Sequence, residues 1–123
     1  MKLNSTTSMV LLAFLVFGAL IAAAALKNAA PSQYDELAQC ISDAGGKMYG
    51  AYWCGACEQQ KADFGSAFKY INYEECSSAG SHSFDLCPDI TSTPTWEKAD
   101  GTRFTGAHTL SNLAQEFGCE DKL

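Results

Sequence analysis

The hydrophobic pattern divides the chain into two unlike parts. From Met9 to Leu26 no residue is charged and almost none is polar. Met1, Lys2 and a polar run from Asn4 to Ser8 precede this stretch, and Lys27 follows it. A helix apolar on every face needs apolar cover on every face. The remaining chain is too small to supply it, so a buried helix is a poor reading. An export signal has an apolar core of ~7–15 residues followed by small residues at a cleavage site. Ala23-Ala24-Ala25 or Asn28-Ala29-Ala30 would serve as such a site. A membrane-spanning helix needs ~17–25 residues. The stretch reaches the lower end of that range, which favours an uncleaved anchor over a signal peptide. Lys2 on one side, and Lys27 followed by Asp35 and Glu36 on the other, weakly favour a cytoplasmic N-terminus and a domain outside.

Beyond residue 30 the pattern becomes amphipathic. Tyr34, Leu37, Ala38 and Ile41 recur at helical spacing behind Ser32–Asp35, which has capping-box character. Gly45-Gly46 ends that helix. Lys47 to Trp53 is short, apolar and aromatic, and reads as a buried strand. A second helix opens at Cys54 and turns Cys57, Phe64, Ala67, Phe68 and Ile71 inward, with a kink expected at Gly65. Ile71 to Cys76 reads as a strand, Ser77 to Ser83 as a loop, and Asp85 to Ile90 as a helical turn broken by Pro88. Thr95–Lys98 and Thr102–Thr105 form a hairpin through Asp100-Gly101. Leu110, Leu113, Ala114 and Phe117 mark a last helix, stopped by Gly118.

Two strands joined through a helix predict a parallel βαβ unit, to which the hairpin adds antiparallel strands. The expected class is α/β, a small mixed sheet flanked by helices behind one N-terminal hydrophobic helix. The expected division is residues 1–30, anchor or signal, and residues 31–123, one domain. A total of 123 residues leaves room for only one small domain. Removing Lys2 and Lys27 from the eight Lys and Arg leaves six against 14 Asp and Glu in that domain, a net charge of −8. Nucleic acid, whose phosphates need a basic footprint, is therefore not an expected partner.

All six cysteines lie in the domain: Cys40, Cys54, Cys57, Cys76, Cys87 and Cys119. An even number behind an export-type segment points to an oxidising compartment. Six cysteines allow 15 pairings, so their count does not fix connectivity. One pair carries chemistry. Trp53-Cys54-Gly55-Ala56-Cys57 stands where a strand gives way to a helix. Free N–H groups at a helix N-terminus stabilise a thiolate there. Cys54 is thus the expected nucleophile and Cys57 the resolving thiol. A static disulfide is the blander reading. A zinc site would need two more ligands, which Cys76 and Cys87 could supply, but these are not a close pair and an exported chain disfavours thiolate zinc. No metal and no cofactor is expected.

The run Met48–Cys57, then Gln60-Lys61, Phe64-Gly65, Glu75-Cys76, Cys87, Thr93-Pro94-Thr95-Trp96, Gly106 and Leu113-Ala114, carries a resemblance. It is similar to the thioredoxin-like domain fused to or partnering bacterial vitamin K epoxide reductase homologues, over about Tyr34 to Gly118. The resemblance implies a thioredoxin-like fold with a cis Pro94 beside the cysteine pair. Trp53, Thr93 and Pro94 are then the expected substrate-binding residues. It also places a second disulfide at Cys76 and Cys87, structural or relaying electrons to the main pair. Cys40 and Cys119 fall outside the pattern on the first and last helices. By elimination they form a candidate disulfide, with two unpaired thiols as the alternative.

The chain departs from thioredoxins proper in two places. Met48 stands six residues before Cys54, where they usually carry a buried Asp. Gly-Ala replaces their Gly-Pro, and replaces the Pro-His common in the related fused domains, which leaves the direction of electron flow open. The four-helix reductase domain is not in these residues, so a partnership with a membrane vitamin K epoxide reductase homologue would be in trans. Of the other polar groups, His82 and His108 read as solvated, and Glu58 and Lys61 as a solvated helix face. Trp96 reads as core or groove wall, and Phe64 with Phe68 as core.

The leading function is an extracytoplasmic thiol–disulfide oxidoreductase acting on protein thiols and disulfides, and the resemblance implies that a quinone-linked membrane reductase homologue oxidises it in turn. A reductant or isomerase of exported thiols is the second enzymatic reading. A non-catalytic disulfide-stapled binding module and a metal chaperone using Cys54 and Cys57 are the readings of other classes.

Overall fold

The computed structural model describes residues 4–123. Met1 and Lys2, on which the orientation reading rests, lie outside them, as does the side chain of Lys27. The chain divides into two units, Met1–Ala30 and Pro31–Leu123. The first is helix α1, Ser5–Ala29. Its Ser5–Ala24 portion is long and apolar enough to cross a membrane. Leu12, Phe14, Leu15 and Phe17 are all exposed, as the absence of any polar face dictates.

The second unit begins with α2, Asp35–Asp43. The Ser32 N–H donates to the Asp35 carboxylate at 3.1 Å, one half of the expected capping box. Leu37, Ala38 and Ile41 are fully buried on its inner face. Gly45, at φ +82°, turns the chain into β1, Lys47–Gly50. The strand stops three residues earlier than its composition predicts. The Cys54 N–H donates to the Ala51 carbonyl at 3.0 Å, so the chain is already turning toward α3, Gly55–Phe64.

The kink expected at Gly65 is a full break. Gly65 sits at φ +58°, ψ −134°, and residues Gly65–Tyr70 continue as a 3₁₀ helix. That conformation favours glycine, and the change of helix type still leaves Ala67 buried. Strand β2, Tyr73–Glu75, follows. The helical turn expected over Asp85–Ile90 is instead two consecutive turns. The Cys87 N–H bonds the Phe84 carbonyl and the Ile90 N–H bonds the Cys87 carbonyl. Pro88 has no N–H with which to extend either into a helix. Strands β3, Thr95–Glu97, and β4, Arg103–Thr105, form the hairpin through Gly101 at φ +85°. Helix α4, Leu110–Phe117, is capped by the Thr109 hydroxyl and ends at Gly118, φ +69°. A final 3₁₀ turn covers Glu120–Lys122.

The sheet order is β2-β1-β3-β4. β1 runs parallel to β2 and antiparallel to β3, and β3 is antiparallel to β4. Register sets the two faces. Met48 lies opposite Tyr73 and Trp96, and Trp96 opposite Phe104, so these four share one face. Leu37, Ile41, Phe64 and Leu113 from the helices pack with Met48 and Trp96 in the main core. Tyr49, on the other face, packs with Cys76, Cys87 and Ile90. The domain is thioredoxin-like, with a mixed four-stranded sheet flanked by helices.

Candidate active site

Cys54 is the residue immediately before α3, with extended backbone at φ −86°, ψ 112°. The chain enters the helix there, so the amides of the first turn point toward its side chain. The Cys57 N–H donates to the Cys54 sulfur at 3.2 Å. The Cys54 thiol in turn points at the Thr93 carbonyl oxygen, 3.5 Å away. Cys54 is buried and Cys57 completely so, and neither is disulfide-bonded in this structure.

The two thiols have opposite electrostatics. Burial pushes the Cys54 pKa up, but hydrogen bonds from Cys57, Thr93 and the amides of Cys57 and Ala56 outweigh it and bring the thiol below its ordinary range. Burial pushes Cys57 up as well. Its hydrogen bond with Cys54 reinforces that effect, and its pKa reaches about 11. Cys54 is therefore the thiol of the pair that ionises first, while Cys57 keeps its proton. That is the state needed for a nucleophile and a resolving thiol.

The Thr93–Pro94 bond is cis and Pro94 is fully buried. This turn delivers the Thr93 carbonyl to Cys54. Trp53, one of the expected substrate-binding residues, is exposed and anchored by the loop after Cys76. Its indole N–H donates to the Ser77 hydroxyl at 2.9 Å and its ring stacks on Phe84 at 5.5 Å. The Tyr52 hydroxyl donates to the Ser81 carbonyl at 2.6 Å. The loop that begins after Cys76 is therefore fastened to the turn that carries Cys54.

The remaining cysteines form two disulfides. Cys76–Cys87 closes a separation of 11 residues, with Cα atoms 4.9 Å apart. Cys40–Cys119 spans 79 residues and joins the end of the chain to α2, with Cα atoms 6.0 Å apart. Both spacings suit a disulfide. Among the described residues no cluster of His, Cys, Asp or Glu is arranged to hold a metal ion.

Several side chains read as solvated are engaged. The His82 ring is exposed but lies 5.9 Å from Trp53 and 6.2 Å from Tyr52. The half-buried His108 packs edge-on against Phe104 at 5.1 Å. Lys61 places its ammonium 4.2 Å from the centre of the Tyr73 ring, a cation–π contact, and reaches Glu58 at 3.5 Å. Glu58 itself is exposed.

Two positions quoted in the sequence only as part of the resemblance make contacts that it does not foretell. Gln60 is fully buried. Its amide accepts from the His108 N–H at 2.8 Å and donates to the His108 carbonyl at 3.0 Å, and its oxygen lies 3.4 Å from the Trp96 indole nitrogen. It ties α3 to the segment before α4. Its spacing from Cys57 and Phe64 placed it on the inner face, and that was the available signal. The other is Glu75. Its carboxylate accepts from the Tyr52 N–H at 3.0 Å, the Ser77 N–H at 3.1 Å and the Tyr73 hydroxyl at 2.8 Å.

No family model matches the chain. Among curated proteins it is similar to the thiol-disulfide oxidoreductase LTO1 of Arabidopsis thaliana, 38% identical over 89 residues. The match covers 67% of this chain and 23% of that protein, so the chain spans under a quarter of the length of the relative it matches. That similarity relates the chain to a thiol–disulfide oxidoreductase.

Proposed function

We propose that the chain is an extracytoplasmic thiol–disulfide oxidoreductase that exchanges a Cys54–Cys57 disulfide with protein substrates. The observation that carries this reading is the position of Cys54. Its sulfur caps α3, accepts the Cys57 N–H and has a lowered pKa. The similarity to LTO1 supports the same chemistry. The two further disulfides and the apolar α1 fit a domain held on the outer side of a membrane.

In the oxidising direction a substrate thiolate attacks the Cys54 sulfur of the Cys54–Cys57 disulfide. A bond forms between substrate and Cys54, the Cys54–Cys57 bond breaks, and Cys57 leaves and takes up a proton. A second substrate thiolate then attacks the substrate sulfur of this mixed disulfide. The substrate departs oxidised by two electrons, and Cys54 leaves as a thiolate. A low-pKa thiol is a good leaving group, so the helix N-terminus favours this direction. The Thr93–Pro94 turn lies beside Cys54, where it would hold the extended substrate backbone, and Trp53 precedes Cys54 in the chain. A quinone-linked membrane homologue of vitamin K epoxide reductase, acting in trans, is the proposed oxidant that restores the disulfide.

The test is Cys57→Ser expressed in cells. The remaining Cys54 will hold its substrates as mixed disulfides, visible as high-mass species on non-reducing gels that collapse with reductant. If Cys57→Ser collects no such adducts while Cys54 is reduced and accessible to alkylation, exchange through this pair is the wrong reading.

A further inference from the structure

Two aromatic rings beside the nucleophile are exposed without being loose. Tyr52 and Trp53 immediately precede Cys54 and are 43% and 36% exposed. Both are tied to one short segment. The Tyr52 hydroxyl donates to the Ser81 carbonyl at 2.6 Å, and the Trp53 indole N–H to the Ser77 hydroxyl at 2.9 Å. Ser77 is buried and donates in turn to the Ser81 carbonyl at 3.0 Å. Phe84 stacks on Trp53, and the exposed His82 ring lies beside both. Binding costs the ordering of mobile side chains, and here the two rings are ordered in advance. The charge of this segment is one-sided. From Lys69 to Lys98 no Lys or Arg intervenes, while Glu74, Glu75, Asp85, Asp89 and Glu97 do. Glu74 pairs with Lys47, and Asp89 and Glu97 pair with Arg103. Glu75 and Asp85 have neutral partners. Glu75 accepts from the Tyr52 and Ser77 amides and the Tyr73 hydroxyl. Asp85, next to Phe84, accepts from the Ser78 N–H and hydroxyl. Among the described residues neither carboxylate meets a lysine or arginine.

We propose that Tyr52 and Trp53, with Asp85 and Glu75, form a substrate subsite next to Cys54 that takes a lysine or arginine side chain close to the reacting cysteine of a polypeptide. This rests on the Cys54–Cys57 exchange reading and narrows its substrate class. The aliphatic stem of such a side chain packs on the rings, and its cation is drawn to their faces. Asp85 and Glu75 then gain the opposite charge that this chain does not give them. An anionic lipid surface is the disfavoured occupant, because the same carboxylates repel it. The subsite holds a residue flanking the substrate cysteine and leaves the exchange steps at Cys54 and Cys57 as they stand.

The test uses the oxidised full chain in detergent and three dithiol peptides that differ only in the residues flanking their cysteines: lysine, glutamate or leucine. Each peptide's oxidation rate is divided by its rate with bis(2-hydroxyethyl) disulfide, which removes the effect of flanking charge on the thiol itself. The lysine peptide will react about tenfold faster than the glutamate peptide at low salt, and the ratio will fall to about twofold in ~0.5 M NaCl. Asp85→Asn will lower the low-salt ratio about threefold, and Tyr52→Leu will lower it as much. Glu120→Gln, an equal loss of charge on the C-terminal 3₁₀ turn, will leave it unchanged. Tyr52→Leu decides the matter if Asp85→Asn fails to fold by circular dichroism. Equal corrected rates for the lysine and glutamate peptides overturn the proposal, as does a leucine peptide that outruns the lysine one. A ratio that Asp85→Asn and Glu120→Gln lower alike also overturns it, since net charge at large would then be the cause. A wild-type chain whose Cys54–Cys57 disulfide exchanges with none of the three peptides would instead remove the exchange reading on which the subsite stands.

Discussion

Cys54→Ala will reduce disulfide exchange with a peptide disulfide by ~10³-fold or more, because it removes the nucleophile and leaves a buried thiol that the substrate cannot reach. The same sulfur sets the pH dependence. Cys54 has a lowered pKa, so its thiolate is present below the ordinary cysteine range. Alkylation of the reduced protein at Cys54 will stay fast as pH falls through that range, and will slow only at the depressed value. Cys57, at about 11, will resist alkylation until the solution is strongly alkaline. The linkage has a definite sign in each case. The depressed Cys54 pKa stabilises the reduced fold above the unfolded cysteine pKa of ~8.5, and that stability is lost as pH falls through the folded value. The raised Cys57 pKa does the reverse, and its contribution disappears between ~8.5 and about 11. Equal alkylation rates for the two thiols at neutral pH would contradict this account of the site.

The second large effect is on stability. Replacing Cys40 and Cys119 together by serine will lower the unfolding free energy by ~4–5 kcal/mol, because that bridge closes 79 residues and long loops lose the most entropy when cross-linked. Cys119 is fully buried behind α4, so the bridge also anchors the end of the chain to α2. Urea unfolding of the double variant against wild type, both with Cys76–Cys87 intact, measures the loss. A change below ~1 kcal/mol would mean that the termini are held by packing alone. The shorter Cys76–Cys87 loop is worth ~3 kcal/mol on the same argument, and much of its effect falls on the loop that holds Trp53.

The apolar periodicities around Ile41 and Leu113 suffice to locate α2 and α4, since each buries one stripe and exposes the rest. The Asp100-Gly101 pair gives the hairpin, because Gly101 must take a positive φ. The cysteine spacing and the strand before it place Cys54 at a helix start. What local pattern does not carry is the end of each element. β1 stops at Gly50 because the chain must turn to bring Cys54 onto α3, a demand set by the site rather than by the composition of Ala51–Trp53. The break at Gly65 is a choice between a bend and a change of helix type, and tertiary packing of Ala67 and Ile71 makes it. Lys61 looks solvated on a helical wheel, yet it lies over Tyr73, a residue from another strand. Glu75 sits in an acidic pair at a strand end, which reads as surface. Its three hydrogen bonds come from β2, the Cys54 turn and the following loop, and only the assembled fold brings those donors together.

The central claim is that one cysteine pair of three is the working one. Equilibrating the full chain across a series of dithiol redox buffers, trapping thiols in acid and mapping pairs by mass spectrometry tests it directly. The account predicts that Cys54 and Cys57 interconvert between disulfide and dithiol under mild reductant, while Cys40–Cys119 and Cys76–Cys87 stay bonded. A Cys54–Cys57 bond that stays locked until the other two bridges are also reduced would make this a stapled binding domain, and would contradict the account.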